Sequence, residues 1–430
     1  MRIRFLVLLS LMVNQTALSQ DYFPVSGKVI HSKTKVAIPL ATITVKNQPV
    51  GTVTNLDGAF TIFLPESLRT DSLLVSHVGF STFKIAIPDI TDQTSLLVGL
   101  EDRIIVLTEV EVNAEQLTAL EIMKRAIERL KDNFNSKPFV LKGFFRDVRE
   151  QNGKTAYLVE ASVDMQDPGY SSSKHRPKKI FLKGVRASDS RIHEMLSGSL
   201  LNTGNALIVN LEHNFWLSWL TGNINKHDFH IDDIISKDGK FLYVISVQET
   251  PSKPSLAEQF SDMRYVLTHK YYVDTETLSI HKVEHLESPM EGNYIAIERP
   301  YEGDSLFYSK KGWNQVIEFE EYDGKMYLQY QDVSYTFDIV NQKRERVYLD
   351  MAYQFTFVVT DIETDHNSKP DGKKMVAKRS LLLQSDPYDP AFWNELSNAK
   401  LSPLTEKQLQ DLSQQRELKE QFESNKKRIK

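Results

Sequence analysis

The sequence predicts a mainly β protein: an N-terminal β-sandwich, then a larger α+β domain with a curved antiparallel sheet, then a C-terminal helix. Three observations carry this. Short alternating bursts separated by turn residues fill positions 23–100. An amphipathic stretch follows at 118–133. Strand-like runs joined by Asn-Gly or Asp-Gly pairs then occupy most of 139–383.

The first residues read as an address. Arg2 and Arg4 precede the apolar run Phe5–Val13, and Ala17 and Ser19 occupy the −3 and −1 positions of a small-residue cleavage site. Residues 1–19 are therefore expected to be a cleaved signal peptide, with the mature chain starting at Gln20. The apolar run is roughly half of the ~20 residues that cross a bilayer. The chain has no cysteine, which excludes lipid attachment through the bacterial lipoprotein route, disulfides, thiolate metal sites and thiol catalysis. Lys plus Arg number 52 against 57 acids; without Arg2 and Arg4 the balance is 50 − 57 = −7. A mildly acidic chain repels phosphate backbones, so nucleic acid is not an expected partner. No stretch after residue 20 has transmembrane length. The expected location is the periplasm or the outer membrane, as an exported protein without a lipid anchor.

Residues 20–102 form the predicted sandwich. Its strand candidates are Lys28–His31, Ala41–Val45, Phe60–Leu64, Leu73–Ser76 and Thr82–Ile87. Asp57-Gly58 predicts a tight turn with positive φ, after which Phe60 plugs the core, and Gly79 suits a bend. Gly27-Lys28-Val29, Pro39–Val45, Gly51–Phe60 and Ser76–Phe80 together resemble the carboxypeptidase-regulatory-like domain, found in Bacteroidetes envelope proteins. The resemblance implies a seven-stranded, transthyretin-like sandwich and a fold signal, not a catalytic one. Residues 103–117 read as a linker. Within it Leu107–Val112 resembles the segment that follows this domain in TonB-dependent transporters, whose barrel needs several hundred more residues than remain.

Residues 118–385 are expected to form the second domain. Thr118-Ala119-Leu120-Glu121 has capping-box spacing, Ile122, Met123, Ala126, Ile127 and Leu130 share one face, and the helix should end near Asp132-Asn133, before Pro138. Asn152-Gly153, Asp238-Gly239, Asp323-Gly324 and Asp371-Gly372 each favour a two-residue hairpin. Val333, Tyr335, Phe337 and Ile339 face one way, and the apolar parity changes near Gln331, which predicts a bulge there. The expectation is a long, curved, tyrosine-rich sheet with one wet side. A helix followed by such a sheet, with Tyr271-Tyr272-Val273-Asp274 and Ile280, is similar to the half-barrels of the LolA/LolB-like lipoprotein carriers. Residues 386–430 should supply a docking segment around Phe392-Trp393 and a last helix opened by a second capping box at Thr405–Gln408.

No motif carries chemistry. His193-Glu194 lacks the second histidine of a zincin helix, since Ser197 stands in its place. His281 and Glu284 have carboxypeptidase-like spacing, but strand positions three apart point to opposite faces. His227, Asp228, His230, Asp232 and Asp233 make the best metal-like cluster, and a solvated polar loop leading into a strand at Phe241–Val247 explains them as well. No metal or cofactor is expected. Ala206–Leu220, with Phe215, Trp216 and Trp219, reads as a core helix or as the lining of an apolar cavity. The expectation is a non-enzymatic envelope accessory protein. It would contact an apolar, lipid-like ligand or a partner protein through Phe215, Trp216, Trp219, Phe392 and Trp393. The alternative is an adhesion module with the sandwich as spacer, in which deleting 386–430 leaves the fold intact. A metal-dependent hydrolase at His227 and His230 is a remote third reading.

Overall fold

The computed structural model describes residues 22–46, 48, 50–77, 80–90, 96–102, 117–170, 178–192, 220–222, 224–237, 239–249, 265–289, 295–296, 306–341, 346–376, 381, 384, 388–393 and 403–425.

Among the described residues the N-terminal sandwich has seven strands: β1 (Tyr22–His31), β2 (Thr42–Val45), β3 (Gly51–Val53), β4 (Ala59–Pro65), β5 (Ser72–Ser76), β6 (Phe83–Ala86) and β7 (Leu96–Leu100). They form two sheets, ordered β4-β1-β7 and β3-β2-β5-β6. Phe60, Ile62 and Leu64 alternate inward from β4 and meet Ile43, Leu73 and Val75. Two strands escaped the pattern: β3 is too short to alternate, and β7 carries Gly99 next to its last residue. Gly58 takes φ +74° as expected, and a Cβ there would lie 2.4 Å from the Val29 carbonyl oxygen. Val78, Gly79 and the 107–112 segment lie outside the described residues.

Helix α1 (Ala119–Asn133) starts in a capping box: Thr118 Oγ1 accepts from the Glu121 N–H, and the Glu121 carboxylate accepts from the Thr118 N–H at 2.8 Å. Strands β8 (Phe139–Gln151), β9 (Lys154–Asp167), β10 (Lys179–Ala187), β11 (Phe229–Lys237), β12 (Lys240–Glu249), β13 (Tyr265–Asp274), β14 (Ile280–Pro289), β15 (Ile295–Ala296), β16 (Leu306–Tyr322), β17 (Lys325–Asn341), β18 (Arg346–Glu363) and β19 (Lys373–Lys374) make one sheet. Its order is β11-β12-β13-β14-β16-β17-β18-β8-β9-β10-β19, with β15 beside β16. α1 touches both β11 and β17, which stand five strand spacings apart, ~24 Å in a flat sheet. One helix reaches both only because the sheet curls around it. Leu141, Phe145, Val283, Ile317 and Phe357 from that inner face join Ile122, Met123, Ala126 and Leu130 in one core.

Asn152-Gly153 (φ +51° and +70°) and Asp323-Gly324 (+50° and +69°) close two-residue hairpins. Gly239 also has positive φ, at +85°. The fourth pair departs from expectation. Gly372 (φ +98°) presses against β10, where a Cβ would lie 2.4 Å from the Leu182 carbonyl oxygen. Lys373 and Lys374 then pair with Leu182 and Phe181, so the chain here crosses to a distant strand instead of turning back. The bulge predicted near Gln331 falls at Gln329, since Glu318 faces Tyr330 while Phe319 faces Leu328.

The outer face stays wet around Asp232 and Leu286 but is covered elsewhere. Leu40 and Val53 of the sandwich pack on Val316, Tyr330 and Val358 of the outer face. Helices α2 (Glu406–Ser413) and α3 (Leu418–Asn425) set Leu412 and Phe422 against Val148 and Leu158. The single last helix is thus two. Thr405 and Gln408 form the expected capping box, but Gln421 Nε2 donates to the Leu412 and Arg416 carbonyls at 2.7 Å, fixing a bend between α2 and α3.

Covering that face buries charge. Asp332 is buried, accepts from Thr356 Oγ1 at 2.7 Å and Gln354 Nε2 at 3.3 Å, and burial still pushes its carboxyl up to about 6 from 3.8. A carboxyl raised on folding lowers stability above the folded value, and the penalty fades as pH falls through about 6 towards 4. Asp332→Asn keeps an acceptor oxygen. It is expected to raise stability by up to about 3 kcal/mol near pH 8 and by nothing near pH 4. Urea unfolding at both pH values checks this, and an equal effect at both contradicts it.

Candidate apolar binding site

At the C-terminal end of α1 the inner face opens into a slot. Phe134 leaves the helix, bridges to Met326 and meets Phe319 edge-on at 5.3 Å, while Phe139 meets Tyr327 at 5.0 Å. Leu130, Phe134, Phe139, Leu141, Met326 and Leu328 line the apolar floor, and the cavity volume is about 60 Å³. Asn135, Asp167, Tyr170 and Lys178 stand at the slot as its polar groups.

Sequence-local chemistry builds that polar edge. Asn135 Oδ1 accepts from the Lys137 N–H at 3.0 Å, and its Nδ2 donates to Tyr327 Oη at 3.1 Å. The loop after β9 is clamped on this turn: Asp167 Oδ1 accepts from the Gly169 N–H at 2.9 Å, and the Tyr170 N–H donates to the Asn135 carbonyl at 2.7 Å. Gly169, at φ +83°, admits no side chain, because a Cβ would lie 2.6 Å from the Ser136 backbone. Lys178 Nζ sits 3.5 Å from Asp167 Oδ2. Burial raises the Tyr170 and Tyr327 phenols above their usual range, so both remain neutral hydroxyls at neutral pH. Tethers at this end of the helix include Asn133 Nδ2 to the Thr277 carbonyl at 3.2 Å and Lys325 Nζ to the Asp132 carbonyl.

Elsewhere the inner face holds two polar clusters. Asp147 and Arg149 pair at 2.8 Å, buried, with the guanidinium 4.8 Å from the Tyr353 ring centre. His269 and His285 join β13 to β14 through their Nδ1 atoms at 3.0 Å, and Glu287 lies 3.6 Å from His285 Nε2. Burial, with His285 and His227 nearby, pushes His269 down to about 3, so its ring is neutral. These groups tie strands together. Among the described residues no three His, Asp or Glu are placed to hold a metal ion.

Phe215, Trp216 and Trp219 lie outside the described residues, as does His193–Ser197; Leu220 is fully buried in the inner core. Phe392 and Trp393 are described, and Trp393 is corrected. It is only 1% exposed, edge-on to Phe144 at 6.0 Å and under the Arg186 guanidinium at 4.4 Å, which leaves it no surface for a partner. Phe392 covers Gly184, where a Cβ would lie 2.6 Å from its ring. The docking segment docks on its own sheet. His230 and Asp232 sit exposed on β11, where Asp232 accepts from Ser246 Oγ at 2.6 Å and lies 3.6 Å from Lys270 Nζ. His281 contacts Ser279 Oγ at 3.2 Å, whereas Glu284 accepts from Tyr272 Oη at 3.1 Å, so the two do not converge. Sequence reasoning missed the slot because Phe134 and Met326 are far apart in the chain. The one local signal was Phe134 and Phe139 flanking Pro138.

Residues 25–112 match the family model described as CarboxypepD_reg-like domain. The N-terminal sandwich is thus similar to a carboxypeptidase-regulatory-like domain. No curated protein matches the chain. Among solved structures, the chain is similar to a domain described as an outer membrane lipoprotein-sorting protein from Vibrio parahaemolyticus, at 9% identity and TM-score 0.29, over 58% of this chain and 94% of that one. A LolA superfamily protein from Nitrosomonas europaea aligns at 12% identity and TM-score 0.23, over 58% and 94%. A DUF1329 family protein from Desulfovibrio piger aligns at 9% identity and TM-score 0.23, over 58% and 93%.

Proposed function

We propose that this is an exported, non-enzymatic binding protein of the cell envelope, which holds an apolar ligand between α1 and the curled sheet behind its carboxypeptidase-regulatory-like domain. The observation that carries this reading is the slot floored by Leu130, Phe139, Leu141 and Leu328. An apolar recess with a few polar groups at its edge is the usual form of a small-molecule site. Its cavity of about 60 Å³ holds roughly two waters, whereas ligand pockets run to several hundred Å³. A longer ligand therefore needs the slot to widen. Among the described residues no helix is long and apolar enough to cross a membrane.

The reading as an adhesion module with a spacer is less favoured, because the sandwich is seated on the sheet. Thr42 Oγ1 donates to Glu318 at 3.3 Å, and Asn55 Nδ2 donates to the Pro403 carbonyl at 3.0 Å.

The apolar fluorophore phenylnaphthylamine is expected to bind with a rise in emission. Leu328→Gln is expected to weaken that binding about tenfold while near-ultraviolet dichroism is unchanged. No binding, or binding indifferent to Leu328→Gln, removes the slot as the site. Native mass spectrometry of protein purified from its own envelope is expected to show a co-purified apolar molecule.

A further inference from the structure

The edge of the slot holds an ammonium group only loosely paired with a carboxylate. Lys178 is 9% exposed and lines the slot. Its Nζ lies 3.5 Å from Asp167 Oδ2, which is long for a hydrogen bond, and its three N–H donors make no hydrogen bond among the described residues. Asp167 differs: its Oδ1 already accepts from the Gly169 N–H. Most of the Lys178 side chain is buried, and an ion pair at 3.5 Å replaces little of the hydration the ammonium gives up there. An acceptor oxygen arriving at the edge supplies a partner, and Tyr170, which lines the same slot, carries a second donor. Behind these two groups the lining is Leu130, Phe139, Leu141 and Met326.

Building on the apolar-ligand reading, we propose that Lys178 selects an amphiphile with an anionic, carboxylate-type head, bound head-outward with its tail in the slot. Asp167 opposes the head by like charge, so it tunes affinity downward and guards the empty slot against a lone buried cation. Two substitutions at one ion pair therefore shift binding in opposite directions, which a merely structural pair does not do.

The test uses the full chain and displacement of phenylnaphthylamine by laurate, dodecanol and dodecylammonium, all below micelle formation. Wild type is expected to prefer laurate at least tenfold over the other two. Lys178→Met is expected to bring laurate to the level of dodecanol, read as the ratio of the two affinities so that any general change in the slot cancels. Asp167→Asn is expected to strengthen laurate binding several-fold. A laurate preference that survives Lys178→Met, or a weakening by Asp167→Asn, overturns the proposal and leaves the pair structural. Preference for dodecylammonium overturns it too, by making Asp167 the recognising group. A wild-type chain that does not bind the fluorophore defeats the apolar-ligand reading itself, which separates the two failures.

Discussion

Lys237→Met is expected to lower the unfolding free energy by about 3–5 kcal/mol. Lys237 is buried where the sheet meets the sandwich, and its Nζ sits 2.6 Å from Glu318 Oε1. Burial alone would raise the Glu318 carboxyl. The charges of Lys237 and Lys282, with hydrogen bonds from Lys237 and Tyr330, outweigh it and bring the group down to about 2 from 4.5. Removing Lys237 leaves a carboxylate in a site that water does not reach, facing Thr42 Oγ1 from the sandwich and the Lys282 charge. The double variant Lys237→Met/Glu318→Gln removes both charges and is expected to recover most of the loss, because breaking a buried pair costs far more than replacing it. pH gives an independent handle. A carboxyl depressed on folding contributes stability that is present above about 4.5 and lost as pH falls through about 2. Wild type is therefore expected to lose part of its stability over that window, and the double variant to lose less. Urea unfolding of the three proteins reads both effects. A single variant within about 1 kcal/mol of wild type shows that the pair bears no load at this junction.

The sandwich was legible because its signals are local. Asp57-Gly58 followed by Phe60 specifies a turn and a core plug within four residues, and the structure has Gly58 at φ +74° and Phe60 buried. The capping boxes at Thr118 and Thr405 were legible for the same reason: each needs only side chains three residues apart. The covered outer face was not read, although a signal was present. Phe144-Phe145 on β8 and Leu158-Val159 on β9 put apolar residues on both faces, the mark of strands buried on two sides, whereas β17 near Tyr335 alternates cleanly. The slot was illegible in principle. Its floor joins Leu130 to Leu328 and its edge joins Asn135 to Tyr327, pairings that only the completed curl of the sheet creates. The aromatic pair Phe392-Trp393 shows the converse failure, since a conspicuous exposed-looking motif covers the chain's own strands.

A chain truncated after residue 385 is expected not to fold cooperatively. The removed segment supplies Trp393 at 1% exposure, Leu412 at 0% and Phe422 at 6%, all set on β8, β9 and β10. Losing one buried large side chain costs about 2–5 kcal/mol, so three together approach the 5–15 kcal/mol that holds a typical domain. Polar partners are lost as well. Asp411 Oδ2 accepts from the buried Thr155 N–H at 2.9 Å, and Gln421 Oε1 accepts from the Asp189 N–H at 2.9 Å. Beneath them Glu160, 1% exposed, accepts from Arg146 Nε at 2.8 Å and Arg186 Nε at 2.6 Å, and Trp393 and Phe422 flank the Arg186 guanidinium at 4.4 and 4.7 Å. The arginines keep Glu160 below the usual carboxylate range against the opposing effect of burial, so stripping the aromatics opens a packed ionic triad to water. Trp393→Ala tests the same idea without truncation, with an expected cost of about 3–5 kcal/mol in urea unfolding. A truncated protein that keeps a single sharp melting transition near that of the full chain would return residues 386–430 to the role of a free docking arm.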